Sequence, residues 1–174
     1  MIPLVLGLFA SVAAPAYAQN LRVRPLVREG EVLVSFSLDG VFTEAMRDQI
    51  QSGLRTTFTY TVELKQKAPA WVDRTIASAM VSASVEYDNL TRRTTVTQTL
   101  DGRMGETRVI EDAELARQLA TSFERLPLFK TRLLEVNREY YLLVRAEARP
   151  GQNRSAFWPW TGSTSAQAKF TFLP

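Results

Sequence analysis

The sequence predicts an α+β fold: mainly antiparallel β-sheet, or a sandwich of sheets, with two short amphipathic helices. Three observations predict it. Several stretches alternate apolar and polar side chains, the period-two signature of strands with one buried face. Such half-solvated strands belong to antiparallel sheets rather than to buried parallel ones. Two other segments break that period and carry helix caps. The 174 residues, 45% hydrophobic and 22% charged, suit one globular domain, and no repeat or biased linker divides them.

Residues 1–18, MIPLVLGLFASVAAPAYA, contain no charged side chain. Their apolar run is too short to cross a bilayer as a helix, and Ala16-Tyr17-Ala18 is the A-x-A pattern of a signal peptidase site. The expectation is an exported, periplasmic protein cleaved after Ala18, with residues 19–174 as the single mature domain and no integral span after processing. Retention of the segment as an anchor is the alternative. No Lys or Arg precedes the apolar run, so the α-amino group or an upstream start must supply the positive charge. Without Cys there is no lipoprotein attachment site.

Residues 21–28 group Leu21, Val23 and Val27, and Glu29-Gly30 turns the chain into residues 31–39, where Val32, Val34, Phe36 and Leu38 share one side. Thr43 caps a short helix ending near Gly53, with Met46 and Ile50 as apolar contacts. In residues 55–67, Phe58, Tyr60, Val62 and Leu64 oppose threonines and charges. Residues 75–87 place Ala77, Ala79, Val81, Ala83, Val85 and Tyr87 together; their Ala and Ser content also allows helix, but the alternation favours strand. Thr-rich residues 93–100 follow, and Asp101-Gly102 is a hairpin turn. Asp112 caps a second helix in which Ala113, Ala116, Leu119, Ala120 and Phe123 keep 3.6-residue spacing, with Arg125 in its last turn and Pro127 ending it. Residues 140–149 and 165–173 complete the strands. The expected order is ββαββββαββ.

The absence of both Cys and His removes thiolate nucleophiles, imidazole triads, and metal sites built on those side chains. Acid/base chemistry would rest on Asp, Glu, Lys or Tyr. Glu86 and Asp88 lie two apart on a strand, about 6–7 Å, within the range of glycosidase carboxylates. Alternating strands place surface carboxylates at this spacing routinely, so the pair reads first as a solvated edge. No nucleophile elbow, phosphate loop or calcium loop occurs. No catalytic, cofactor or metal residue is therefore assigned. Net charge is +3 with acids and bases interspersed, which does not indicate nucleic acid as a partner.

Aromatics supply the candidate partner-binding residues. Phe157, Trp158 and Trp160, in Phe-Trp-Pro-Trp within an irregular stretch, form either a cap on the core or a platform for a partner. Trp71, after Ala68-Pro69-Ala70, offers the same choice. The threonine rows Thr57, Thr59, Thr61 and Thr95, Thr97, Thr99 read as soluble sheet surface.

Val34-Ser35-Phe36-Ser37-Leu38, Phe58-Thr59-Tyr60-Thr61-Val62-Glu63-Leu64, Trp71-Val72-Asp73 and Tyr87-Asp88-Asn89-Leu90-Thr91-Arg92 together resemble a family of exported bacterial proteins, the domain of unknown function 4390. The YDxLTR and WxD elements carry the resemblance, which spans about residues 21–173. Val72 stands where the family often has a second Trp. No catalytic residues are implied. The resemblance implies an envelope or signalling role, by association with a membrane-bound sensor kinase. Read physically, Asp88 and Asn89 suit a hairpin turn, and both motifs specify fold before function. The resulting expectation is a periplasmic, non-enzymatic domain binding an envelope protein, without a cofactor. The alternative is a carrier of a hydrophobic small molecule, its pocket lined by Phe58, Tyr60, Met80, Phe123 and Phe170. A carboxylate-dependent hydrolase is the distant third.

Overall fold

A computed structural model describes residues 20–68, 72–150 and 163–173. The elements are β1 (Asn20–Arg28), β2 (Glu31–Asp39), α1 (Glu44–Gln51), β3 (Thr56–Gln66), β4 (Arg74–Asp88), β5 (Arg93–Leu100), β6 (Arg103–Ile110), α2 (Ala113–Thr121), β7 (Ser122–Lys130), β8 (Arg138–Pro150) and β9 (Thr164–Phe172). A 3-10 turn, Thr131–Leu133, links β7 to β8. The strands form two antiparallel sheets, β1-β2-β7 and β6-β5-β4-β3-β8-β9.

Period two dictates the interior. Val32, Val34, Phe36 and Leu38 of β2 are buried together with Phe58, Tyr60, Val62 and Leu64 of β3. Val81, Ala83 and Val85 of β4 and Tyr140, Leu142 and Val144 of β8 continue the same layer. At its centre the Phe36 ring lies 4.9 Å from both Tyr60 and Phe123, and Tyr60 and Phe123 meet edge-on at 5.3 Å. Phe42 stacks on Phe58 at 5.4 Å. The opposite face of the larger sheet is hydroxyl-rich: Thr57 bonds Ser84 at 2.9 Å, Ser82 bonds Thr99 at 2.5 Å, and Thr97 bonds Thr107 at 3.3 Å.

The turns follow their chemistry. Glu29 and Gly30, at φ 52° and 77°, and Asp101 and Gly102, at 49° and 75°, adopt the paired positive φ that a tight hairpin needs to match strand twist. Thr43 caps α1 by accepting from the Met46 N–H at 3.3 Å, and Asp112 caps α2 by accepting from Glu114 and Leu115. In β6, Gly105 sits where β5 and β6 slip register, and a Cβ there would meet the Gln98 carbonyl oxygen at 3.0 Å.

One segment departs from the expectation. The second helix ends at Thr121, and Phe123, Arg125 and Pro127 belong to strand β7. The reason lies in the register. Phe36 pairs with Phe123, Val34 with Leu126 and Val32 with Phe129, because two irregularities interrupt the ladder. Residues three apart on β7 therefore meet residues two apart on β2, and the strand imitates helical spacing. Arg125 takes a positive φ of 51° at one irregularity. Pro127 is tolerated because β7 is an edge strand, which does not need every N–H.

The end of α2 is held from the sheet below. The Tyr60 hydroxyl donates to the Ala120 carbonyl at 2.9 Å, and Gln98 Nε2 donates to the Leu119 carbonyl at 2.8 Å. These acceptors have no later helical turn to bond, so side chains replace it. Burial also pushes the Tyr60 phenol well above its ordinary pKa, keeping it a donor. Tyr60→Phe leaves the buried carbonyl without that donor and is expected to destabilise the domain by about 1–3 kcal/mol, measured by urea unfolding.

Candidate functional site

Trp71, Phe157, Trp158 and Trp160 lie outside the described residues. The strands leading to them do not converge. Trp71 falls between Ala68 and Val72, just past the pairing of Gln66 with Arg74. The other three fall after Pro150, which pairs with Thr56 at the opposite end of β3. Eleven residues of β3 separate these anchors, roughly 35 Å.

The WxD element shapes the end of the β3–β4 connection. Asp73 Oδ2 accepts from the Tyr141 hydroxyl at 2.7 Å, and Oδ1 accepts from the Ala68 N–H at 3.2 Å. The tyrosine hydrogen bond, then the backbone one, hold the carboxyl below the usual aspartate range. The same bond raises the Tyr141 phenol to about 12. Val72 beside it is 81% exposed.

The YDxLTR element builds the β4–β5 hairpin. Asp88 Oδ1 accepts from the Leu90 N–H at 2.8 Å and the Thr91 N–H at 3.3 Å, and these bonds lower its pKa, the Leu90 bond most. Arg92 turns through φ 55°. Gly53, at φ 85°, packs so close that a Cβ would stand 3.2 Å from Asn89 Nδ2. Tyr87 packs against the core, as its parity predicts. Leu90 is 96% exposed at the tip, and Leu54 is exposed on the adjoining connection.

The carboxylate pair is thereby accounted for. Glu86 accepts from Arg55 Nε and Nη2 at 2.9 and 2.6 Å, while Asp88 is committed to backbone N–H groups. A proton donor near neutrality needs a raised pKa, and Asp88 is shifted the other way. Among the described residues, no group of three carboxylates is arranged to hold a metal ion, and no helix is long and apolar enough to cross a membrane.

The proposed apolar pocket does not assemble. Phe58 and Tyr60 are fully buried against other rings, whereas Met80 is half exposed on the other face of β4. Parity decides this: Met80 pairs with Thr61, and Val81 with Tyr60. Phe170 stacks instead on Tyr140, at 5.9 Å, on the β8–β9 side. Openings among the described residues include two surface clefts. One is lined by Arg22, Arg24, Ser35 and Glu124 together with Phe36 and Phe123. Another, about 120 Å³ and mainly apolar, includes Val81, Leu100, Gly105, Phe123 and Leu126.

The Asp73–Tyr141 bond makes a pH prediction. A lowered aspartate pKa gives stability that is present above the unfolded value near ~3.9 and lost as pH falls through the folded value. A raised tyrosine pKa gives stability present below ~10 and lost as pH rises through the folded value. Tyr141→Phe is expected to return the Asp73 carboxyl toward its ordinary pKa, read by carbon-detected NMR titration. An unchanged titration would remove the bond from this account.

The family model described as "Domain of unknown function (DUF4390)" matches residues 14–152. No curated protein and no solved structure matches the chain. The two motifs thus belong to a chain whose family is defined across most of its length, and this protein is a member of the DUF4390 family.

Proposed function

We propose that the mature chain is an exported, non-enzymatic accessory domain of the bacterial envelope that works by binding another protein. The observation that carries this reading is how the space between the sheets is used. Phe36, Tyr60 and Phe123 fill the centre of the interior, where a carrier would hold its cargo. The motif carboxylates Asp73 and Asp88 shape turns. Apolar side chains are exposed at several places among the described residues, and at the Thr56 end these are Leu54 and Leu90, where Gly53 packs against Asn89. The segment containing Phe157, Trp158 and Trp160 leaves the described residues at this same end, after Pro150.

Export rests on the uncharged apolar leader and the Ala16-Tyr17-Ala18 site. A membrane-bound sensor kinase is the partner class that family association supplies.

Site-specific photo-crosslinking in intact cells tests both parts. A photoreactive residue at position 90 is expected to give a discrete adduct with an envelope protein, and one at the polar-face position 167 is not. The recovered chain is expected to begin at Gln19. Equal labelling at the two positions would overturn the binding surface, and a cytosolic chain retaining Met1 would overturn export.

A further inference from the structure

Strand β4 is longer than its neighbour. It spans 15 residues and pairs with β3 along almost its whole length, but β5 pairs only as far as Val81 with Leu100. The pairing stops because the chain turns back at Asp101-Gly102. There the Asp101 N–H donates to the Met80 carbonyl, and the Asp101 carboxylate accepts from the Met80 N–H, both at 2.8 Å. Backbone groups two residues apart point to the same side of a strand. Glu63 pairs with Ser78 and Thr61 with Met80 without interruption. The Ser78 N–H and carbonyl therefore point, like those of Met80, away from β3. Among the described residues nothing bonds them.

This stretch differs from the other sheet margins in its lack of charge and proline. The margins of the smaller sheet are guarded: β1 carries Pro25 and three arginines, and β7 carries Pro127 and the irregularity at Arg125. In the larger sheet β6 carries Arg103, Glu106 and Arg108 and a bulge at Gly105, while β9 lies beside β1. Residues 75–79 of β4, Thr-Ile-Ala-Ser-Ala, have neither charge nor proline; the β3–β4 ladder slips at Ile76, between the Leu64–Ala77 and Lys65–Thr75 pairs, so the regular part of this margin is Ala77–Ala79.

Two further features describe what would lie along it. Exposed Arg74 stands at one end and exposed Arg103, opposite Leu100, at the other, and neither has a carboxylate partner among the described residues. Along the strand their positions are about 20 Å apart, the length of a six-residue extended segment, because Arg74 pairs with Gln66 and Val81 with Tyr60. Next to the margin, on the core side, opens the apolar cleft that includes Val81, Leu100 and Leu126.

We infer that β4 around Ser78 accepts an extended segment of a partner protein as an added strand, one with acidic residues at both ends and an apolar side chain facing the Leu100–Leu126 cleft. Main-chain bonds to Ser78 provide pairing, the two arginines select the charge, and the cleft fixes which face points inward. This surface is separate from the Leu54–Leu90 end, and the inference stands independently of export.

The test uses the purified, isotope-labelled chain and two synthetic peptides, EEVTVTVEE and KKVTVTVKK. The acidic peptide is expected to shift the Ser78 amide resonance, slow its hydrogen exchange at least tenfold, and lose about tenfold in affinity between 50 and 500 mM salt. The basic peptide is expected to do none of this. Ser78→Pro removes an N–H that pairs with nothing in the free protein, so it is expected to abolish binding with little change in thermal midpoint. Should that variant unfold, the Arg74→Glu/Arg103→Glu double variant decides: its preference should switch to the basic peptide. A Ser78 amide already protected in the free chain would overturn the inference by showing that the molecule covers its own margin. Equal binding of both peptides, or no response at Ser78 to the acidic one, would overturn it as well.

Discussion

Two carbonyl oxygens at the end of α2 set much of the architecture. Leu119 and Ala120 bring polar groups to a helix terminus that faces the larger sheet, where an unmet acceptor would cost about 1–3 kcal/mol. Tyr60 and Gln98 meet them from β3 and β5. Because both donors sit on fixed strands, the helix stops at a defined place. Phe123 then enters the space beside Phe36 and Tyr60, and the chain continues as β7 in the smaller sheet. Helix termination, the central aromatic cluster and the joining of the two sheets are thus one packing arrangement, with Tyr60 common to all three.

The aspartates express a second constraint. Asp73, Asp88, Asp101 and Asp112 each accept from a backbone N–H where a strand or helix begins or ends. A short acceptor side chain competes well for nearby backbone donors, so aspartate is suited to fixing where an element ends. In a chain without His or Cys, these carboxylates would be the natural place to look for chemistry. Their partners assign them to geometry instead. The YDxLTR and WxD elements of this chain contain two of the four, and turn formation accounts for the aspartate in each.

Strand limits were legible wherever alternation is clean. Residues 31–39, read from alternation, coincide with β2; residues 93–100, read from their threonine content, coincide with β5; and both helix caps stand at Thr43 and Asp112. Strand β7 was hidden because its two irregularities space the contacts of Phe123, Leu126 and Phe129 by three, a helical signal. The motif residues were visible, but their work was not: Asp73 finds Tyr141 at a separation of 68 residues, which no local pattern encodes. Parity in β4 already placed Met80 opposite the Val81 face, so its exclusion from the interior follows from alternation applied consistently.

The open margin of β4 follows from a difference in strand length. A hairpin pairs residues outward from its turn, so a strand of 15 residues next to one of eight must leave its first part without that neighbour. Sequence alone could not say whether another strand filled the place, since the segments of β6 and β9 were both available. The topology answers this among the described residues: β6 adds beyond β5, β9 adds beyond β8, and β7 joins the smaller sheet. A protein that guards its sheet margins with proline and arginine elsewhere leaves this one uncharged between two unmatched arginines, with the slip at Ile76 as its one irregularity. A margin without charge or proline is a liability for a chain meant to stay alone, and a charge bracket around it limits which chain can use it. Selectivity and exposure are then consequences of one feature, the early turn of β5 at Asp101.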